Sequence, residues 1–124
     1  MQNFTIKQMS PQLQVSNLER SIEFYVKELG FEVDFRYEDF YAGIKKDGYS
    51  IHLKITETLS APKEQHSGDD PIELMFSIEN IKELYAELSG KSVNIIQPLQ
   101  EMPYGTEFYI ADPDSNVIAF LQTE

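Results

Sequence analysis

Two histidines and no cysteine limit the chemistry this chain can attempt. Without thiols, disulfides, cysteine nucleophiles and cysteine-bound metals are excluded. His52 sits in the alternating run Ile51-His52-Leu53, and its polar neighbours on the same face are Ser50 and Lys54. An imidazole placed there can ligate a metal, or it can sit half-buried and bond to a neighbour such as Glu73. Glu73, between Ile72 and Leu74, can pair with His52 or Lys54 across a sheet. His66 lies in a polar stretch and reads as solvated. The rings of Phe35, Tyr37, Phe40 and Tyr41 could stack a planar ligand, but aromatic residues at strand spacing are usually core. Tyr104 stands in a loop between Pro103 and Gly105 and is the aromatic best freed for ligand contact. There is no Gly-rich phosphate loop, no nucleophile elbow and no acidic pair at recognisable spacing. Asp112 and Asp114 form a turn without the further ligands that calcium requires.

The charge balance narrows the partners. Twenty-one acidic residues against ten basic ones give a net charge of -11 over 124 residues. Nucleic acid and anionic membranes both call for a basic surface, so neither is expected. A cationic or neutral small ligand is compatible, and most of the acidic surplus reads as solvated surface, with Asp69 and Asp70 in a linker. Met1 to Ser10 is polar, and no later run is long and apolar enough to span a bilayer, so a cytoplasmic location is expected. With 41% hydrophobic and 25% charged residues, the chain is expected to form a single domain.

The elements that must position these residues follow from periodicity. Apolar alternation predicts strands at Leu13–Val15, Ile51–Ile55, Ile72–Ile78, Phe108–Ile110 and Ile118–Phe120. Phe31–Val33 and Ser92–Ile96 look extended, and Tyr37–Lys45 and Gly105–Ala111 supply one strand each. Leu18, Ile22, Tyr25, Val26 and Leu29 recur at helical spacing, with Ser16 or Asn17 as cap and Gly30 as stop. Ile81, Leu84, Tyr85 and Leu88 repeat that pattern between Asn80 and Gly90. Lys46-Asp47-Gly48 predicts a hairpin turn, and so does Asp112-Pro113-Asp114-Ser115-Asn116.

The chain matches itself. At an offset of 63, Val15 falls on Ile78, Asn17 on Asn80, Leu18 on Ile81 and Ile22 on Tyr85. At an offset of 67, Ile51 falls on Ile118 and Leu53 on Phe120. Two βαβββ modules are therefore expected, at about 10–55 and about 72–122, joined by a linker at 57–71. Period-two alternation then puts Gln12, Gln14, Ser50, His52, Glu73, Met75 and Ala119 on the faces turned away from the helices.

The run Leu13-Gln14-Val15-Ser16-Asn17-Leu18-Glu19-Arg20-Ser21-Ile22-Glu23-Phe24-Tyr25, followed by Leu29-Gly30-Phe31, resembles the opening module of the vicinal oxygen chelate superfamily. That superfamily includes glyoxalase I, the extradiol dioxygenases and the bleomycin resistance proteins. Asp112-Pro113-Asp114-Ser115-Asn116-Val117-Ile118 resembles its closing hairpin. Glu38-Asp39-Phe40-Tyr41-Ala42-Gly43, Glu83-Leu84-Tyr85-Ala86-Glu87 and Pro103-Tyr104-Gly105-Thr106-Glu107-Phe108 are most similar to the bleomycin resistance branch. The resemblance implies an α+β fold in which two βαβββ modules form a curved, partly open mixed-sheet barrel around a cavity, with helices outside. It also implies a homodimer with pockets between subunits, and places Phe40, Tyr41 and Tyr104 at the rim.

By the same resemblance, the four metal positions of the metal-dependent members fall on Ser10, His52, Glu73 and Ala119. Serine and alanine depart from the donor pattern, since a divalent ion takes three or four nitrogen or carboxylate ligands. The first expectation is thus a metal-free binding protein without cofactor, sequestering a cationic or aromatic compound. The second is a lyase, isomerase or dioxygenase that chelates vicinal oxygens on one divalent metal such as Zn, Ni, Mn or Fe, held by His52 and Glu73 with Glu73 as base. The third is a non-catalytic protein-association domain.

Overall fold

Strand alternation becomes two sheets of the same design. In a computed structural model, which describes residues 3–56 and 71–123, β1 (Gln12–Val15) runs parallel to β4 (Tyr49–Ile55). β4 pairs antiparallel with β3 (Tyr41–Lys46), and β3 with β2 (Glu32–Tyr37). The second sheet repeats the order: β5 (Leu74–Ser77), β8 (Val117–Thr123), β7 (Gly105–Ala111) and β6 (Asn94–Met102). The register repeats too, since Ile44 opposite Ile51 has its counterpart in Ile110 opposite Ile118. His66, Asp69 and Asp70 lie outside the described residues.

One face of each sheet is buried by a helix. Leu13, Val15, Ile44, Ile51 and Leu53 join Leu18, Ile22 and Tyr25 of the first helical segment. Phe108, Ile110, Ile118 and Phe120 join Ile81 and Leu88 of α2 (Ile81–Ser89). Phe31 and Phe76, with ring centroids 6.1 Å apart, connect the two halves of this core. Burying side chains of this size, at about 1.5–3 kcal/mol each, supplies the main driving force for the fold.

Several boundaries differ from the sequence pattern. The first helix is α-helical only over Leu18–Glu23 (α1) and continues as a π-helical turn over Phe24–Glu28. The wider turn keeps Tyr25 wholly buried, with its hydroxyl on Asp112. The strand expected at Tyr37–Lys45 is interrupted by a turn at residues 38–40, where Glu38 has φ +47°. Arg36 fastens that turn by donating from Nε to the Glu38 carbonyl at 2.8 Å. β6 runs well past Ile96 and through Pro98. It is an edge strand whose pairing shifts register between Ile95 and Gln100, so the missing proline N–H disrupts nothing. β5 is shorter than expected. Asn17 caps α1 as expected, its Oδ1 accepting the Arg20 amide, whereas α2 is capped from the far end of the chain by Gln122 rather than by Asn80.

Candidate functional site

The faces opposite the helices hold the polar and aromatic side chains. In the first sheet, register aligns Gln12, His52, Gly43 and Phe35 in one row, and Gln14, Lys54, Tyr41 and Tyr37 in the next. Gly43 has no side chain because a Cβ there would stand 2.2 Å from the Phe35 ring, which lies flat over it. Phe35 stacks near-parallel on Tyr41 at 6.1 Å and meets His52 edge-on at 5.2 Å, and Tyr37 closes the group 5.7 Å from Phe35. Gln12 Nε2 donates to the Tyr41 hydroxyl at 3.1 Å, and that hydroxyl lies 2.8 Å from His52 Nδ1. Ser50 Oγ is buried with no hydrogen-bond partner among the described residues. Gln12, Gln14, Tyr41, Ser50 and His52 thus share a face. The aromatic group is not core: Tyr37 is 62% exposed. Phe40 lies in the turn at residues 38–40, next to Tyr41 at the start of β3, and is half exposed.

In the second sheet, Met75, Ala119, Tyr109 and Gln97 form the corresponding row. Met75 is exposed, whereas Ala119 is buried beneath its neighbours and forms floor rather than wall. Glu73 does not pair with His52 or Lys54. Its Oε2 accepts the Val117 amide and its own amide donates to the Val117 carbonyl, so the carboxylate closes off the β5–β8 pairing. Tyr104 is half exposed but tethered, donating its hydroxyl to Glu107 Oε1 at 2.6 Å. Gln97 Nε2 donates to Glu107 Oε2 at 3.0 Å, and Tyr109 lies two residues on along β7, on the same face.

Glu107 and Tyr109 were absent from the candidates read from sequence. The available signal was their alternation with Phe108 and Ile110, which assigns them to the open face. Burial pushes the Glu107 carboxyl up, but the hydrogen bonds from Tyr104 and Gln97, with the Tyr109 hydroxyl adding to them, outweigh it and leave it below the ordinary 4.5. The hydrogen bond to Glu107 pushes the Tyr104 phenol up to about 12. A carboxylate depressed in the folded state contributes stability above its unfolded value and loses it as pH falls through the folded value. Urea unfolding between pH 7 and pH 3 should therefore show an acid-side loss of stability that is shallower in Glu107→Gln; equal slopes would remove Glu107 as its source.

The donor set does not suit a divalent metal. The Ser10 hydroxyl accepts from the Gln8 amide, His52 Nδ1 is taken by Tyr41, Glu73 is held by Val117, and Ala119 offers nothing. Among the described residues, no group of three His, Cys, Asp or Glu side chains stands together as ligands. Two clefts, of about 440 and 470 Å³, lie at the start of α2 and beside α1; the first is lined by Glu79, Lys82, Thr106 and Gln122 among others, the second by Asn17, Arg20, Lys27 and Ser92 among others. No helix among the described residues is long and apolar enough to cross a membrane.

Known proteins share this arrangement. A bleomycin resistance protein from Geobacillus stearothermophilus is 29% identical over 93% of this chain and 96% of its own length. TioX from Micromonospora sp. ML1 superposes with a TM-score of 0.76 at 16% identity, covering 95% of this chain and 99% of that one. The bleomycin-binding protein from bleomycin-producing Streptomyces verticillus, solved with copper(II)-bleomycin, superposes at 0.72 with 23% identity over 98% and 99% of the two chains. The sequence model of one family matches residues 5–120. With that match and the paired βαβββ sheets, the chain belongs to the Glyoxalase/Bleomycin resistance protein/Dioxygenase superfamily.

Proposed function

We propose that this protein binds a planar, cationic or neutral small molecule on its open sheet faces, without a metal, and acts by sequestration rather than catalysis. The observation that carries the proposal is the aromatic group Phe35, Tyr37 and Tyr41, assembled on the solvent side of a sheet instead of in the core. Such rings bury a flat ligand at little conformational cost. The Gln12–Tyr41–His52 chain adds polar contacts beside them. The bleomycin-related names of the relatives support an antibiotic-like ligand. Two open faces with exposed Met75 and Tyr37 also favour a homodimer in which one copy's face covers the other's.

The test is a thermal-shift screen of aromatic antibiotics, bleomycin included, on the purified protein. A ligand should raise the midpoint with concentration, and Tyr41→Ala should weaken it by about 1 kcal/mol, roughly fivefold. No shift with any compound would sink the proposal. Sedimentation should show a species of twice 14.3 kDa, and a purely 14.3 kDa species would remove the dimer.

A further inference from the structure

Glu107 is a carboxylate largely taken out of water, with no basic side chain paired to it among the described residues. It is 5% exposed, in a β7 row between Gln100 on β6 and Leu121 on β8. Both side chains that hydrogen-bond it among the described residues are neutral: the Tyr104 hydroxyl and the Gln97 amide. Among the described residues it forms no ion pair, although Arg20, Lys27, Arg36, Lys45 and Lys46 all find carboxylates elsewhere. Neutral donors stabilise the ionised form, so at neutral pH the site carries a negative charge that no described residue compensates.

The surroundings say what could compensate it. A phenol that donates its proton to a carboxylate gains electron density in its ring, which deepens the negative ring face. Tyr104, half exposed at the β6–β7 hairpin, presents such a ring to solvent. In the adjoining row Met75 and Ala119 lie beside Tyr109 and form an apolar floor. A carboxylate backed by electron-rich rings, over an apolar floor, is the combination that selects an organic cation over a hydrated metal ion.

We infer that Glu107, Tyr104 and Tyr109 form a subsite for the cationic group (ammonium, amidinium or iminium) of an aromatic ligand. This rests on the small-molecule binding proposed above and adds the charge of the ligand and the residue that reads it. The carboxylate supplies the attraction, the Tyr104 phenol and the Gln97 amide hold it ionised and oriented, and no bond is made or broken.

Two planar fluorescent probes of opposite charge, ethidium and 1-anilinonaphthalene-8-sulfonate, test this on the intact protein. The parent should bind ethidium the more tightly of the two. Glu107→Gln should weaken ethidium about tenfold while leaving the sulfonate within about threefold. Tyr104→Leu, which keeps the carboxylate and removes a ring, should weaken ethidium about fivefold, and it carries the test if Glu107→Gln does not fold. Ethidium binding unchanged in either folded variant overturns the subsite and leaves the binding proposal standing. An equal loss of both probes also overturns it, marking Glu107 as structural. Preference of the parent for the sulfonate overturns it as well, and failure to bind either probe overturns both this inference and the function it rests on.

Discussion

Asp112→Ala should cost about 3–4 kcal/mol and lower the unfolding midpoint by at least about 10 °C. The Asp112 carboxylate holds the β7–β8 turn together and fastens one module to the other. Its Oδ1 accepts the backbone amides of Asp114 and Asn116, both at 2.9 Å. Its Oδ2 accepts the Asn116 side-chain amide at 2.9 Å and, from the first module, the Tyr25 hydroxyl at 2.8 Å. Alanine strands all four donors, and the Tyr25 hydroxyl is wholly buried, so it has no water to turn to. Tyr25→Phe removes only one donor and should cost about 1–2 kcal/mol. The double variant should cost less than the two single ones together, because both lose the same contact. Urea unfolding of the four proteins measures this, and a cost under about 1 kcal/mol for Asp112→Ala would mean that this carboxylate does not fasten the modules together. The pH dependence has the opposite sign to that of Glu107. Burial raises the Asp112 carboxyl, with the bonds from Asn116 and Tyr25 opposing, so its contribution is full at acid pH and falls as pH rises through its folded value.

Gly105→Ala should be as damaging, at about 3 kcal/mol or more, for a reason confined to the backbone. Gly105 begins β7 at φ +148° against Thr123 of β8. A Cβ there would stand 2.3 Å from the Gln122 carbonyl oxygen and 3.0 Å from the Thr123 Cα. Those atoms belong to the neighbouring strand, so no side-chain rotation relieves the clash and the start of β7 must lift away. Tyr104 and Glu107 flank this position, so the variant should also lose the elevated Tyr104 phenol titration, readable by ultraviolet absorbance at high pH. Gly43→Ala meets only the Phe35 ring, which can swing aside, and should be milder in stability while breaking up the aromatic wall. A Gly105→Ala protein as stable as its parent would show that the hairpin tolerates a shifted start.

What the sequence determined by itself is local. Alternation assigned Gln12, Gln14, Ser50 and His52 to one face, because a strand can bury only every second side chain. Asp47-Gly48 marked its hairpin because both residues adopt positive φ there. The repeat between the modules showed because each must build the same half-buried sheet. What only the tertiary structure decided is which polar atoms meet. Ser16 donates to Asp114 from 98 residues away, and Gln122 caps a helix that Asn80 was placed to cap. Glu73, suited by type to be a ligand or a base, spends its carboxylate on a backbone amide of β8. Glu107, in a segment that reads as ordinary strand, becomes a buried charge because Gln97 and Tyr104 on the hairpin arm fold over it. Periodicity records which face a residue occupies. The partner it finds there depends on sheet register and on the turns at residues 38–40 and 103–104, which place groups from distant segments within hydrogen-bond range and thereby set charge and burial.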